Sequence, residues 1–244
     1  MLRTSTRRAG ALVVLLALSV VVQADNTGQT LPFTQDWSDA ALITANDSWS
    51  GVPGVIGYRG DSLTAITGAD PQSILLPGID AGDTPPGVVD VNANQTNPDT
   101  FTTGGVTEFA VANPVVALTG SGTADAPFIL LHLDTSGQSG IQVSYNLRDI
   151  DGSTDDAVQA VALQYRVGSS GNFTNVPAAF VADATTGPSQ ATLVTPVQVT
   201  LPAACDDQPL VQLRIMTTNA VGNDEWVGID DVRIATGPGV TSLS

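Results

Sequence analysis

The chain of 244 residues carries 24 acidic and 8 basic side chains, a formal net charge of −16, and every basic residue is arginine because lysine is absent. So large a negative surplus repels phosphate backbones and disfavours nucleic-acid binding through a basic face. A hydrophobic content of 42% is too high for a disordered acidic tail, while 24 glycines and 15 prolines against 13% charged residues describe strands and turns, not long helices or coiled coils.

Residues 1–24 read as a secretory signal peptide. Arg3, Arg7 and Arg8 form a basic start, an apolar run follows from Ala9 to Val22, and Val22-Gln23-Ala24 offers a small-residue cleavage site before Asp25. The Arg7-Arg8 pair leaves Sec and twin-arginine export both open, and an uncleaved anchor is the alternative. Cleavage would remove three arginines and no acid, leaving 5 arginines against 24 acids, a net −19. The expected destination is extracellular or periplasmic, with no transmembrane segment in the mature chain.

After a short lead over 25–30, a single sandwich domain is expected over 31–235. Two of the three tryptophans, Trp37 and Trp49, fall in its first stretch. Residues 68–105 are rich in Gly, Pro, Asn and Asp, with strand candidates only at 74–76 and 88–91. They read as a loop-rich excursion carrying short edge strands, too thin in apolar residues to form a core of its own.

From about residue 106 the pattern has period two. Ile141, Val143, Tyr145 and Leu147 alternate with polar neighbours, as do Val161, Leu163, Tyr165 and Val167, then Val197, Val199 and Leu201, then Val211, Leu213 and Ile215. Strands are also expected over 115–118 and 128–134. Gly-, Ser- and Asp-rich turns at 119–122, 136–140, 151–153 and 168–172 separate them, so the fold class is an all-β antiparallel β-sandwich. Residues 236–244 read as a flexible tail.

The last strand breaks its own rule. Val227 and Ile229 have one parity, Val232 and Ile234 the other, so a bulge or change of sheet is expected near Asp230-Asp231. One of these aspartates is then drawn inward and needs a partner: Arg214 on the preceding strand, or a calcium ion held by carboxylate and carbonyl oxygens.

The other chemical signals are weaker. Cys205 is the only cysteine, which allows no internal disulfide, and its Ala203, Ala204 and Asp206 neighbours make it an incidental small residue. The only histidine, His132, reads as packed or surface-facing. The acidic run Asp149, Asp151, Asp155 and Asp156 lacks the Gly and Glu spacing of an EF-hand and reads as a solvated turn, or else a surface calcium site. The only glutamates, Glu108 and Glu225, share no motif, so the paired carboxylates of a glycosidase are not evident. Trp37, Trp49, Tyr58 and Trp226 either stack on sugar rings or anchor the core. Asn46, Asn94 and Asn172 head glycosylation sequons, a pattern common by chance.

Four segments together resemble a known group: residues 31–38 with Asp36-Trp37, residues 49–60 with Trp49 and Tyr58-Arg59, residues 164–176, and Trp226-Val227-Gly228-Ile229-Asp230-Asp231-Val232. They are similar to the jelly-roll modules at the N-terminus of secreted bacterial multidomain proteins, notably extracellular endonucleases of the endonuclease/exonuclease/phosphatase type. The closing Trp-x-x-Ile-Asp-Asp-Val signature is shared with MAM-like and cleaved-adhesin-like jelly rolls. The resemblance implies a jelly-roll sandwich and a structural Ca2+ near Asp36 with Asp230 or Asp231. With one histidine, the chain lacks the paired histidines of the phosphodiesterase domain. It reads as a stand-alone accessory module or a fragment separated from its enzyme: a non-catalytic binding module whose partner is unknown, with an extracellular polysaccharide or a cell-surface component as the options. Its ligand-stacking candidates are Trp49, Tyr58 and Trp226; a carbohydrate-binding or adhesin-like surface module is the alternative, and a jelly-roll glycosidase the next.

Overall fold

The computed structural model describes residues 25–79, 87–154, 157–187 and 191–237. The expected signal peptide, the tail from 238 onward, and Asp155 and Asp156 of the acidic run lie outside the described residues. In chain order the strands are β1 (Gln29–Thr30), β2 (Phe33–Gln35), β3 (Val55–Tyr58), β4 (Asn92–Gln95), β5 (Gly105–Phe109), β6 (Val115–Thr119), β7 (Phe128–Asp134), β8 (Ile141–Asp149), β9 (Ala162–Val167), β10 (Thr174–Asn175), β11 (Val194–Thr200), β12 (Val211–Met216) and β13 (Val227–Thr236).

These strands form two facing sheets, a β-sandwich of jelly-roll type. One sheet runs β1-β7-β12-β9-β10, with β3 also on β7; the other runs β11-β8-β13-β6-β5-β4, with β2 also on β13. Most pairs are antiparallel, but β1 with β7 and β4 with β5 are parallel, so both sheets are mixed. The lead expected over 25–30 therefore supplies a short edge strand. The long strands follow their side-chain period: β8 alternates fully buried and half-buried residues along its whole length. Its inward Ile141, Val143, Tyr145 and Leu147 meet Leu163, Leu213, Ile215, Ile229 and Ile234 in one core.

A second, smaller core lies over part of the other sheet, where Phe109, Val115, Ala117, Ile150 and Trp226 pack with Phe101 and Val111. Phe101 belongs to the loop-rich excursion, so that segment roofs a sheet face as well as lining its edge. Of its two strand candidates, 88–91 contributes only an isolated bridge, Tyr58 to Val89. Residues 74–76 form no strand; they follow a 3-10 turn at Pro71–Ser73, and the Ile74 and Leu76 carbonyls accept the Arg214 guanidinium at 2.6 and 2.9 Å.

The parity switch of the last strand is a bulge. Against β8, Asp230 pairs with Asn146 and Arg233 with Ser144, so three residue steps on β13 cover two on its neighbour. Asp231 takes φ 52° to absorb the extra residue. The other edge of β13 changes partner at the same place, from β6 at 227–229 to β2 at 232–234.

Candidate ligand-binding groove

The bulge settles the surroundings of the predicted calcium ligands. Asp230 is 1% exposed, and its partner is Arg148, not Arg214: the Arg148 Nη1 donates to Asp230 Oδ2 at 2.8 Å, the Asn113 amide donates to the same oxygen at 3.2 Å, and the Asp231 N–H donates to Oδ1 at 2.8 Å. Arg148 lies two positions along β8 from Asn146, which faces Asp230, so the two share a sheet face. Arg214 instead sits in the other sheet, donating to Gln164 and stacked 4.1 Å from the Phe173 ring centroid. Asp231 accepts from Asn146, and the exposed Asp36 accepts from the Ser38 backbone and hydroxyl. Asp36 and Asp231 line one shallow depression with Thr34, Gln35, Val232 and Arg233. Both Asp230 oxygens are committed to a guanidinium, an amide and a backbone N–H, which leaves Asp36 and Asp231 as the predicted ligands that the structure brings to one depression.

The predicted stacking residues are core anchors. Trp49 is fully buried, Trp226 and Trp37 are 2% and 3% exposed, and Tyr58 is stacked on Phe128. Each indole N–H finds a backbone carbonyl: Trp37 on Ile229, Trp49 on Asp90, Trp226 on Phe101. None of these rings offers a face to a sugar. His132 is packed, its Nδ1 3.3 Å from the Gly54 carbonyl, and burial lowers its pKa. Cys205 is buried, which pushes its thiol up to about 12 and disfavours the thiolate.

The acidic turn is not uniformly solvated, as Asp149 and Asp151 are 1% and 5% exposed. Asp149 is the last inward position of β8 and faces Val227. Burial pushes it up to about 6, opposed by the Asp151 N–H and helped to a smaller extent by the charges of Asp151 and Asp183. Both glutamates are buried as well, with Glu108 accepting from the Asn94 N–H.

The concave surface lies elsewhere, at the end of the sandwich where β3, β6, β8 and β12 finish and β5, β7 and β13 begin. A trough of about 680 Å³ is lined by Asn46, Asp47, Arg59, Asp90, Asn92, Thr103 and Thr123 among others. A second depression of about 350 Å³ is lined by Asp99, Phe101, Asp151, Asn223, Asp224 and the little-exposed Trp226 among others. Thr102 and Ser121 line both, so the two depressions adjoin and are taken together as one groove.

Its walls are held from behind. Arg59 is fixed by an ion pair with Asp61, Asn46 accepts from the Ala93 N–H, and Asn92 donates to the Val106 carbonyl and the Thr107 hydroxyl. Asp90 is 8% exposed, accepts from the Val106 N–H at 2.6 Å, and is pushed up to about 6 mainly by burial. Its Oδ2 stands where a side chain on Gly105 would be, 2.1 Å from an added Cβ, and Gly105 has φ 124°, so only glycine fits this start of β5. The groove combines hydroxyls, amides, carboxylates and one guanidinium, a set that hydrogen-bonds to polyhydroxylated surfaces. Sequence reasoning missed it because its residues come from six inter-strand connections and form no motif.

No protein-family model matches the chain, and no curated protein matches it in sequence. Among solved structures it is similar to CBM28, a carbohydrate-binding module specific for non-crystalline cellulose, at 13% identity over 58% of this chain and 86% of that one, TM-score 0.38. The K3 cleaved adhesin domain of Lys-gingipain from Porphyromonas gingivalis is 19% identical over 51% and 75%, TM-score 0.37. The module TmCBM61, solved with beta-1,4-galactotriose, is 13% identical over 52% and 72%, TM-score 0.33. Overlaps this partial carry no argument about ligand, and the jelly-roll sandwich stands on its own strand order.

Proposed function

We propose that this chain is a secreted, non-catalytic β-sandwich module that binds a hydroxyl-rich extracellular polymer, a polysaccharide first of all, along the groove at the loop end of the sandwich. The observation that supports it is that two depressions adjoin at Thr102 and Ser121, lined by groups held on backbone and ion-pair supports. Recognition then runs through hydrogen bonds to sugar hydroxyls, not through stacking. Secretion rests on the pattern of residues 1–24, and association with an extracellular nuclease on the sequence resemblance alone. Among the described residues no helix is long and apolar enough to cross a membrane.

Affinity electrophoresis through gels containing neutral, acidic and amino-sugar polysaccharides tests this. Retardation by at least one of them is expected, weakened about tenfold by Arg59→Ala or Asn92→Ala, each hydrogen bond lost to a buried ligand group being worth about 1–2 kcal/mol. Arg233→Ala, on the far depression, should leave it unchanged. Mobility identical in every gel would end the proposal.

One observation favours a second reading, a glycoside hydrolase: Asp90, with its raised pKa, shares the trough with Asp47, as an acid and a carboxylate would. Against it, Asp90 is a buckle between Val106 and Gly105 with little free surface. Release of reducing ends that disappears in Asp90→Asn would favour the enzyme.

A further inference from the structure

We infer that a hard, oxygen-liganded divalent cation of the calcium class binds at Asp149 and Asp151, in the space between the two sheets beneath the groove, away from the Asp36 and Asp230 positions. The strand pattern sets the geometry. Ile141, Val143, Tyr145 and Leu147 of β8 point into the core, and Asp149 is the next residue of that parity, 1% exposed where an apolar side chain would complete the series. The chain continues so that Asp151 has the same parity and is 5% exposed, and the Ile150 N–H donates to the Trp226 carbonyl at 3.4 Å.

Asp149 Oδ2 is buried with no hydrogen-bond partner, while Oδ1 accepts from the Asp151 N–H. Among the described residues, the charges that act on it are the carboxylates of Asp151 and Asp183. The arginines stand elsewhere: Arg59 on Asp61, Arg148 on Asp230, Arg166 and Arg214 beside Phe173, and Arg233 at the far depression. A buried, unpaired carboxylate with like-charged neighbours is expensive unless it is protonated or bound to a cation.

The surroundings suit the second outcome. Asp183 acts on Asp149 as a second like charge, and its Oδ1 is held by the Gln159 and Thr185 N–H groups at 3.3 and 3.2 Å, so a further carboxylate is fixed at this end of the sandwich. Among the described residues no three His, Cys, Asp or Glu side chains form a metal group by themselves. The assignment is therefore two carboxylates completed by carbonyl and water oxygens, within the six to eight (about) that calcium takes.

Terbium is the probe, since Trp226 is adjacent and transfers excitation to bound Tb3+. The full chain, stripped with EGTA, is titrated with Tb3+ under tryptophan excitation and then with Ca2+. A saturable rise in Tb3+ emission that Ca2+ reverses is expected, with Ca2+ raising the melting temperature by several degrees. Asp149→Asn should weaken the signal at least tenfold and, in EGTA, melt at or above the parent chain, because a buried charge is gone. That second readout separates ligation from a merely structural role. Should Asp149→Asn not fold, Asp151→Asn carries the same expectation. Asp36→Asn should leave the signal intact. The inference is overturned if neither ion binds, if Asp149→Asn keeps the signal as adventitious binding to surface aspartates would, or if Asp36→Asn loses it.

Discussion

Asp90 holds the Val106 N–H while only 8% of the residue meets solvent, and burial lifts its carboxyl from the ordinary 3.8 to about 6. The folded chain therefore binds this proton more tightly than the unfolded chain does. Stability from this group is present below about pH 4 and is lost as pH rises through about 6. Melting temperature in EGTA should accordingly rise from pH 7 to pH 5, and Asp90→Asn should make that rise shallower, with Asp149, also pushed up to about 6, supplying part of the remainder; a profile unchanged in the variant would remove Asp90 from the account. Arg148 is the complementary case, a cation holding a buried carboxylate. Arg148→Ala strands Asp230, which keeps only the Asn113 amide and the Asp231 N–H, and urea unfolding should show a loss of about 2–3 kcal/mol. A loss within a few tenths would mean that solvent replaces the guanidinium. Tertiary packing chose this partner: Arg148 sits two positions from Asn146 on the neighbouring strand, a relation invisible before β8 and β13 are known to pair.

At the scale of the element, β13 is one strand serving two neighbours on one edge. The bulge at Asp230-Asp231 lets its first half pair with β6 and its second half with β2 while β8 runs along the other edge. The cost is a left-handed residue, Asp231 at φ 52°, a conformation that aspartate tolerates and β-branched side chains do not. Asp231→Val should destabilise by about 1–2 kcal/mol, with Asp231→Asn close to the parent, both read by thermal melts. Equal melts would show the bulge relaxing to another register. The alternation of β8 was legible residue by residue, and so was the parity switch of β13, because both depend only on period two. The excursion was less legible: Ile74 and Leu76 look like strand residues, yet their carbonyls are spent on Arg214 of β12.

The whole molecule carries its charge unevenly. If residues 1–24 are removed, 5 arginines face 24 acids, and at least four of those arginines are engaged by carboxylates, carbonyls or rings. Self-repulsion then opposes the compact state and is screened as the Debye length falls from about 30 Å at 0.01 M salt to about 8 Å at 0.15 M. Melting temperature should climb by a few degrees over that range in NaCl, and a flat or falling curve would contradict it. The same field tells the groove apart from an anion site. Asp47, Asp90, Asp99, Asp151 and Asp224 outnumber the single Arg59 along its length, so neutral or cationic polymers are favoured over polyanions.

The sequence by itself determined the strand-and-turn class, the inward faces of the long strands, the break at Asp230-Asp231 and the charge balance, because composition and period-two alternation are local properties. Only the tertiary structure decided which faces are roofed. Trp226 and Trp49 look alike in sequence to exposed sugar platforms, but Phe101 and Phe109 close over one and Trp37 meets the other. Asp149 and Asp151 look like a wet turn, but Asp149 takes the inward parity of β8 and both are buried. Burial of a polar or aromatic side chain depends on what distant segment covers it, and a single strand's pattern holds no record of that.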